Sequence, residues 1–165
     1  MQAIVADTTP VNYLALIQAV EFLPQLYGRV LIPPAVKAEL SDQHAPNEVR
    51  EWILRTHSWL HVISPETSVD LALSQLDLGE REAILLASET QAPLLMDERD
   101  GTAEARARGI KVIGTLGVLD AAATRGWLDL PLMFERLRET SFRSPLRLMA
   151  AMLEQNAARK RETND

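Results

Sequence analysis

Acidic side chains stand where short apolar runs of this chain end. Asp7 closes the run AIVA at residues 3–6, and Asp97, with Glu98 and Asp100 close behind, closes PLLM at 93–96. Glu39 lies one short helix beyond VLI at 30–32, and Glu80 and Glu82 open the helix that leads into 93–96. Carboxylates from four such places, brought within a few ångströms, would repel one another, and some would be forced to protonate unless a cation sat between them. Ligands that are all oxygen select a hard ion, magnesium or manganese. Alone or as a pair, such an ion lowers the pKa of a bound water and steadies an in-line attack on phosphorus. The reaction implied is metal-assisted hydrolysis of a phosphodiester.

Each acid also has a plainer reading. Asp7 and Asp100 suit helix N-caps, although Thr9, followed by Pro10, is better placed than Asp7 to cap its helix. Glu80 and Glu82 fall in a first helical turn, where the macrodipole favours acids; Glu39 falls late in its helix, where it does not. Asp97 suits an ordinary turn after a strand.

The positioning elements follow from the apolar pattern. Short buried strands are expected at 3–6, 30–32, 59–63, 93–96 and 111–113. Between them, Leu14, Ile17, Val20 and Leu23 mark one helix, Val36 and Leu40 another, and further helices are expected over 46–55, 67–76, 80–90, 102–108 and 116–124. Helices over 131–138 and 145–161 complete the chain. Gly109 reads as a C-cap glycine. Strands alternating with helices imply a parallel sheet covered on both faces, with its site beyond the carboxyl ends of the strands.

The chain has 165 residues, 47% hydrophobic and 24% charged, and no cysteine, which excludes disulfides, a zinc-finger site and a thiol nucleophile and fits a reducing cytoplasm. No repeat or linker is visible, so one domain is expected over 1–165, with 129–165 a helical, basic extension. No apolar stretch reaches the ~20 residues of a membrane helix, and the chain enters a strand at once, so neither membrane attachment nor a signal peptide is expected. The net charge of −6 argues against a simple nucleic-acid coat, but it is unevenly spread: 1–100 hold 15 acids and 6 bases, 101–165 hold 8 acids and 11 bases. Fourteen of the 17 bases are Arg, which pairs phosphates bidentately. Arg143, Arg147, Arg159, Lys160 and Arg161 make a basic side on the last helix that either contacts RNA backbone or is a solvated face.

Other features are less telling. His44, His57 and His61 have neither ligand nor triad spacing and are expected at the surface or half-buried. Trp52, Trp59 and Trp127 are expected in the core. Gly114–Thr115–Leu116–Gly117 lacks the lysine of a P-loop and reads as a close helix–strand contact rather than a phosphate cradle. An aspartyl-phosphate mechanism at Asp7 is disfavoured, because Thr9 stands where a second acid is needed.

VADTTP at 5–10, PPAVKAEL at 33–40, LGEREAILLA at 78–87 and LLMDERD at 94–100, in this order and spacing, resemble the four motifs of PIN domains, and GIKVIGTLGVLDAA at 109–122 is similar to a PIN-like prokaryotic subgroup. The resemblance covers roughly 1–128. It implies a three-layer α/β/α sandwich and a magnesium- or manganese-dependent endoribonuclease, with Asp7, Glu39, Glu82 and Asp97 as metal ligands and catalytic residues. Glu80, Glu98 and Asp100 would support them, and Thr8 or Thr9 would orient Asp7. Asp97 stands where many PIN nucleases have Thr, so Asp97 and Asp100 compete for the fourth acidic position. Many relatives are VapC-like toxins of toxin–antitoxin pairs, often dimers bound by a small antitoxin. The competing reading is an inactive PIN-like module that binds RNA or a partner.

Overall fold

A computed structural model describes residues 2–165. Its centre is a parallel sheet of β1 (Ala3–Ala6), β2 (Arg29–Ile32), β3 (Leu60–Val62), β4 (Leu94–Leu95) and β5 (Val112–Ile113), in the order β3-β2-β1-β4-β5. Val5 stands opposite Leu31 on one side and Leu94 on the other. Ile4, Val5 and Ala6 have no exposed surface; a strand covered on both faces reads as an unbroken apolar run, which is why β1 shows no alternation. The chain moves from β1 through β2 to β3, then crosses back to β4. The order therefore reverses between β1 and β4, and this is the crevice where parallel sheets present their sites. Asp7 and Asp97 leave the sheet there, one residue past β1 and two past β4.

The intervening helices are α1 (Thr8–Leu16), α2 (Phe22–Tyr27), α3 (Pro34–Leu40), α4 (Asn47–Leu54), α5 (Leu78–Thr90) and α6 (Arg99–Ala107). Pro34 opens α3, a position where its missing N–H costs nothing. Ala83, Ile84, Leu86 and Ala87 of α5 pack with Val5, Leu94, Met96 and Ala105 in one apolar cluster. The chain divides into two compact units, the first ending at Thr115 and the second spanning Leu116–Asp165. The second holds most of α7 (Thr115–Thr124), with α8 (Leu130–Arg138) packed on α9 (Leu146–Asn164). No helix among the described residues is long and apolar enough to cross a membrane.

Several expected elements are corrected. The apolar spacing from Leu14 to Leu23 runs through a break: Gln18 takes a left-handed φ of 61°, and α2 starts afresh at Phe22. The helix expected over 67–76 is only a 3-10 turn at Leu71–Leu73, opened by Asp70, whose side chain accepts from the Ala72 N–H. Asp7, not Thr9, is the N-cap of α1, so both threonines lie inside the helix. Glu98, not Asp100, caps α6 by accepting from the Asp100 and Gly101 N–H groups. Trp127 is 40% exposed rather than core, with the Arg125 guanidinium 5.5 Å from its ring centre. His57 is half-buried as expected, between Trp52 and Trp59.

Candidate metal centre

Asp7 is the most buried acid of the chain, 3% exposed. It makes no side-chain capping hydrogen bond. Burial pushes its pKa from 3.8 to about 7; the neighbouring Thr8 N–H offsets part of the rise, and the charges of Asp77, Glu39 and Asp97 add to it. A carboxyl in this state is ionised with difficulty at neutral pH unless positive charge arrives.

Glu39 reaches the same place from the end of α3. The Thr8 hydroxyl donates to its Oε2 at 2.6 Å, and the Gly79 N–H also supports it. Burial, then Asp77 and Glu82, raise its pKa in spite of these donors. Gly79 lets this carboxylate lie against the α5 backbone: a Cβ built on it would fall on Glu39 Oε1 and turn that carboxylate aside. The first turn of α5 thus carries a glycine because the carboxylate of another helix lies against its backbone. Of the two threonines expected to orient Asp7, Thr8 meets it through its backbone N–H, while the Thr8 hydroxyl is turned toward Glu39 of α3.

Asp97 is gripped by Thr115. The Thr115 N–H donates to Oδ1 at 2.8 Å and its hydroxyl to Oδ2 at 2.5 Å. The Thr115 side chain has no exposed surface. Burial raises the Asp97 pKa against these two bonds. A Cβ on Gly114 would come within 2.9 Å of Asp97 Oδ1. The segment that followed β5 as a close-packing glycine pair is therefore a clamp for the acid that follows β4. Asp100, by contrast, is exposed on the first turn of α6 and is absent from the charges acting on Asp7. Between the two competitors, Asp97 is the one that faces the centre.

The α5 acids divide. Glu80 forms a capping box with Asp77: the Asp77 side chain accepts from the Glu80 N–H at 2.9 Å, and Glu80 reaches back to the Asp77 N–H. Burial, then Asp77, Glu98 and Asp7, raise the pKa of Glu80. Glu82 accepts from the Ala35 N–H at 2.9 Å. Pro33 and Pro34 have no N–H, so Ala35 offers the first free donor of α3, and Glu82 satisfies it from across the site. Asp77 escaped sequence reading although its charge acts on Asp7, Glu39 and Glu80. Its signal was the Asp-x-x-Glu capping pattern just before an apolar run. Thr115, Gly79 and Gly114 were missed as supports, because their roles rest on contacts between distant segments.

The ion pairs among the described residues lie elsewhere, as Arg108 with Asp70, Arg159 with Asp120 and His44 with Asp42. Among the described residues, no Lys, Arg or His forms an ion pair with the acids around Asp7. The basic residues expected to touch nucleic acid lie in the second unit: Arg159 donates to Asp120 at 2.9 Å, while Arg143, Arg147, Lys160 and Arg161 are exposed.

A family model described as a PIN domain matches residues 3–157. The chain belongs to the PIN-domain family. The PIN domain is in general a nuclease fold, and PIN domains generally bind divalent metals. No curated protein matches the chain significantly. Among solved structures, a PilT N-terminus domain protein from the hyperthermophilic archaeon Sulfolobus solfataricus is similar over 74% of this chain and 93% of its own, at 16% identity and a TM-score of 0.48.

This PIN domain meets a divalent ion's needs in chemistry and in charge. Its inward-facing donors are all carboxylate oxygens, and the buried Asp7 has no ion-pair partner among the described residues. Burial, helped at Asp7, Glu39 and Glu80 by neighbouring acids, has raised the pKa values of Asp7, Glu39, Glu80 and Asp97. Geometry is the unfinished part. Among the described residues no three acidic or histidine side chains are placed to enclose an ion. Thr8, Ala35 and Thr115 hold Glu39, Glu82 and Asp97 in their present positions. Asp7, by contrast, is held by no side-chain donor among the described residues, only by the Thr8 N–H.

Proposed function

We propose that this PIN domain is a magnesium- or manganese-dependent endoribonuclease that hydrolyses phosphodiester bonds of RNA. The observation that supports this most is the uncompensated meeting of Asp7, Glu39 and Asp97 at the β1/β4 crevice. Asp7, Glu39, Asp97 and the free oxygen of Glu82 would hold the ion. When bound, the ion supplies charge neutralisation at phosphorus and a lowered pKa for the attacking water. The chain's own residues do the rest. Thr115 fixes both oxygens of Asp97, and Thr8 with the Gly79 N–H fixes Glu39, so that two acids are presented in set orientations. Glu80, whose pKa is raised by burial and by its acidic neighbours, can hold a proton close to the site and is the candidate to hand one to the departing oxygen.

The remaining parts of this reading are cellular. The domain, taken as 1–165 with 129–165 as a basic extension, would act in the cytoplasm as a homodimer and as the toxin of a toxin–antitoxin pair, restrained by a small antitoxin. Exposed Arg143, Arg147, Lys160 and Arg161 would hold RNA phosphates. A second reading, an inactive PIN-like module that binds RNA or a partner, is favoured by the absence of a ready three-ligand set among the described residues.

Incubation of the purified protein with single-stranded RNA in manganese separates the two. The nuclease reading expects cleavage that stops with chelator and with Asp7→Asn. Saturable binding without turnover would establish the inactive module, and cleavage that survives Asp7→Asn would remove Asp7 from the chemistry.

A further inference from the structure

Beside the acidic crevice lies an open groove of about 460 Å³ whose lining includes Thr8, Asn12, Glu39, Asp42, His44 and Pro46. Thr8 and Glu39 belong to both places, so the groove is a direct continuation of the metal centre. Its chemistry is different. No Lys or Arg lines it, and two carboxylates do, so a phosphate placed there would be repelled. A neutral polar group would not.

Two side chains are suited to such a group. Asn12 is half-buried on α1, and its amide has no hydrogen-bond partner among the described residues. It offers a donor and an acceptor side by side, the pattern that matches the edge of a nucleobase. His44 is held by Asp42, whose Oδ1 accepts from both the His44 N–H at 2.8 Å and the ring Nδ1 at 2.9 Å. Because a carboxylate only accepts, Nδ1 donates in this contact, which orients the ring and leaves Nε2 without a partner among the described residues. The imidazole, though 83% exposed, is thus oriented rather than free, and a ring of this kind is one on which unpaired RNA bases stack.

From this arrangement we infer that the groove receives the nucleoside next to the phosphate that is cut, with Asn12 bonding the edge of its base and His44 supporting the ring. This rests on the ribonuclease reading, since it gives the neighbouring nucleotide of that substrate a place. It makes the choice of base at one position a property of α1 and of the turn between α3 and α4.

The test uses the four neutral ribonucleosides and metal-free protein, so neither the ion nor catalysis enters. Binding is followed by NMR on the Asn12 side-chain amide and the His44 ring nitrogens. The expected result is a saturable shift of both, unequal among the four nucleosides, with affinity reduced about tenfold in Asn12→Ala. Asp42→Asn should keep the fold and weaken the preference by releasing the ring. Shifts confined to other residues, no shift at all, or Asn12→Ala titrating like the parent chain would overturn the inference. RNA cleavage by a protein whose groove ignores nucleosides removes only this inference. Nucleoside binding without any cleavage in manganese removes the nuclease reading and the placement beside a cut phosphate, and leaves Asn12 and His44 as a nucleoside site.

Discussion

Asp7 and Asp70 are the same residue type in opposite circumstances. Asp70, ahead of the 3-10 turn, accepts from Arg108 at 2.9 Å, and that bond holds its pKa below the ordinary value. Asp7, at the sheet's carboxyl end, is buried beside other acids with no cation, and its pKa rises to about 7. In the first region the chain brings its own counter-charge and the result is a structural tie. In the second, four segments deliver acids, and among the described residues none delivers a base that pairs with them. A fold under selection only for stability would not keep that arrangement, because unpaired buried charge is destabilising.

The largest effect is expected at Asp7. Asp7→Asn removes a ligand charge with little change of shape, and RNA cleavage should fall by at least ~10³-fold, the scale on which loss of a central electrostatic group is felt. The same change should stabilise the metal-free protein. A carboxyl whose folded pKa lies above its unfolded one binds more protons when folded, so its contribution to stability falls as pH rises from 3.8 towards about 7. Above that window the variant should exceed the parent by roughly 2–4 kcal/mol in chemical denaturation. Below pH 3.8 the difference should vanish, and a parent chain as stable as the variant at pH 8 would contradict the burial argument.

Next comes Gly79→Ala, whose new methyl must displace the Glu39 carboxylate. Because the group in the way is the end of a flexible side chain, the stability cost should be small, at most about 1 kcal/mol, and the main effect is loss of activity as Glu39 is pushed from Thr8. Thr115→Val keeps the shape of a fully buried side chain but leaves Asp97 Oδ2 without its donor. A stability loss of about 1–3 kcal/mol is expected, together with weaker manganese binding, and Thr115→Ser should restore most of both. A valine variant that binds manganese like the parent would make Thr115 purely structural. The smallest effect belongs to the contrasting region: Asp70→Asn should leave manganese affinity and cleavage unchanged, and any loss of either would erase the distinction between the two aspartates.

Much of this was legible in the sequence because buried parallel strands are short, apolar and followed by what lines the crevice. Asp7, Glu39 and Asp97 could be placed at one end of a sheet on that ground alone. Periodicity failed where backbone conformation interrupts it. The Leu14 to Leu23 spacing continues across Gln18, whose left-handed turn is made by a residue without glycine's signature. Leu73 and Leu76 are buried at helical spacing, yet the chain around them makes one 3-10 turn. The supporting contacts were hidden for another reason. Thr115 meets Asp97, and Gly79 meets Glu39, across 18 and 40 positions of chain, and no local pattern records such a meeting. Asp77 is the exception, since its capping box with Glu80 is a local pattern legible in the sequence.

The most direct test is calorimetric titration of manganese into the parent chain and into Asp7→Asn near neutral pH, in two buffers of different ionisation heat. Saturable binding with release of protons, as the ion displaces them from Asp7 and its neighbours, is expected for the parent, and its loss for the variant. Absence of manganese binding, or binding that Asp7→Asn leaves untouched, would show that the acids at the end of the sheet do not gather around a cation.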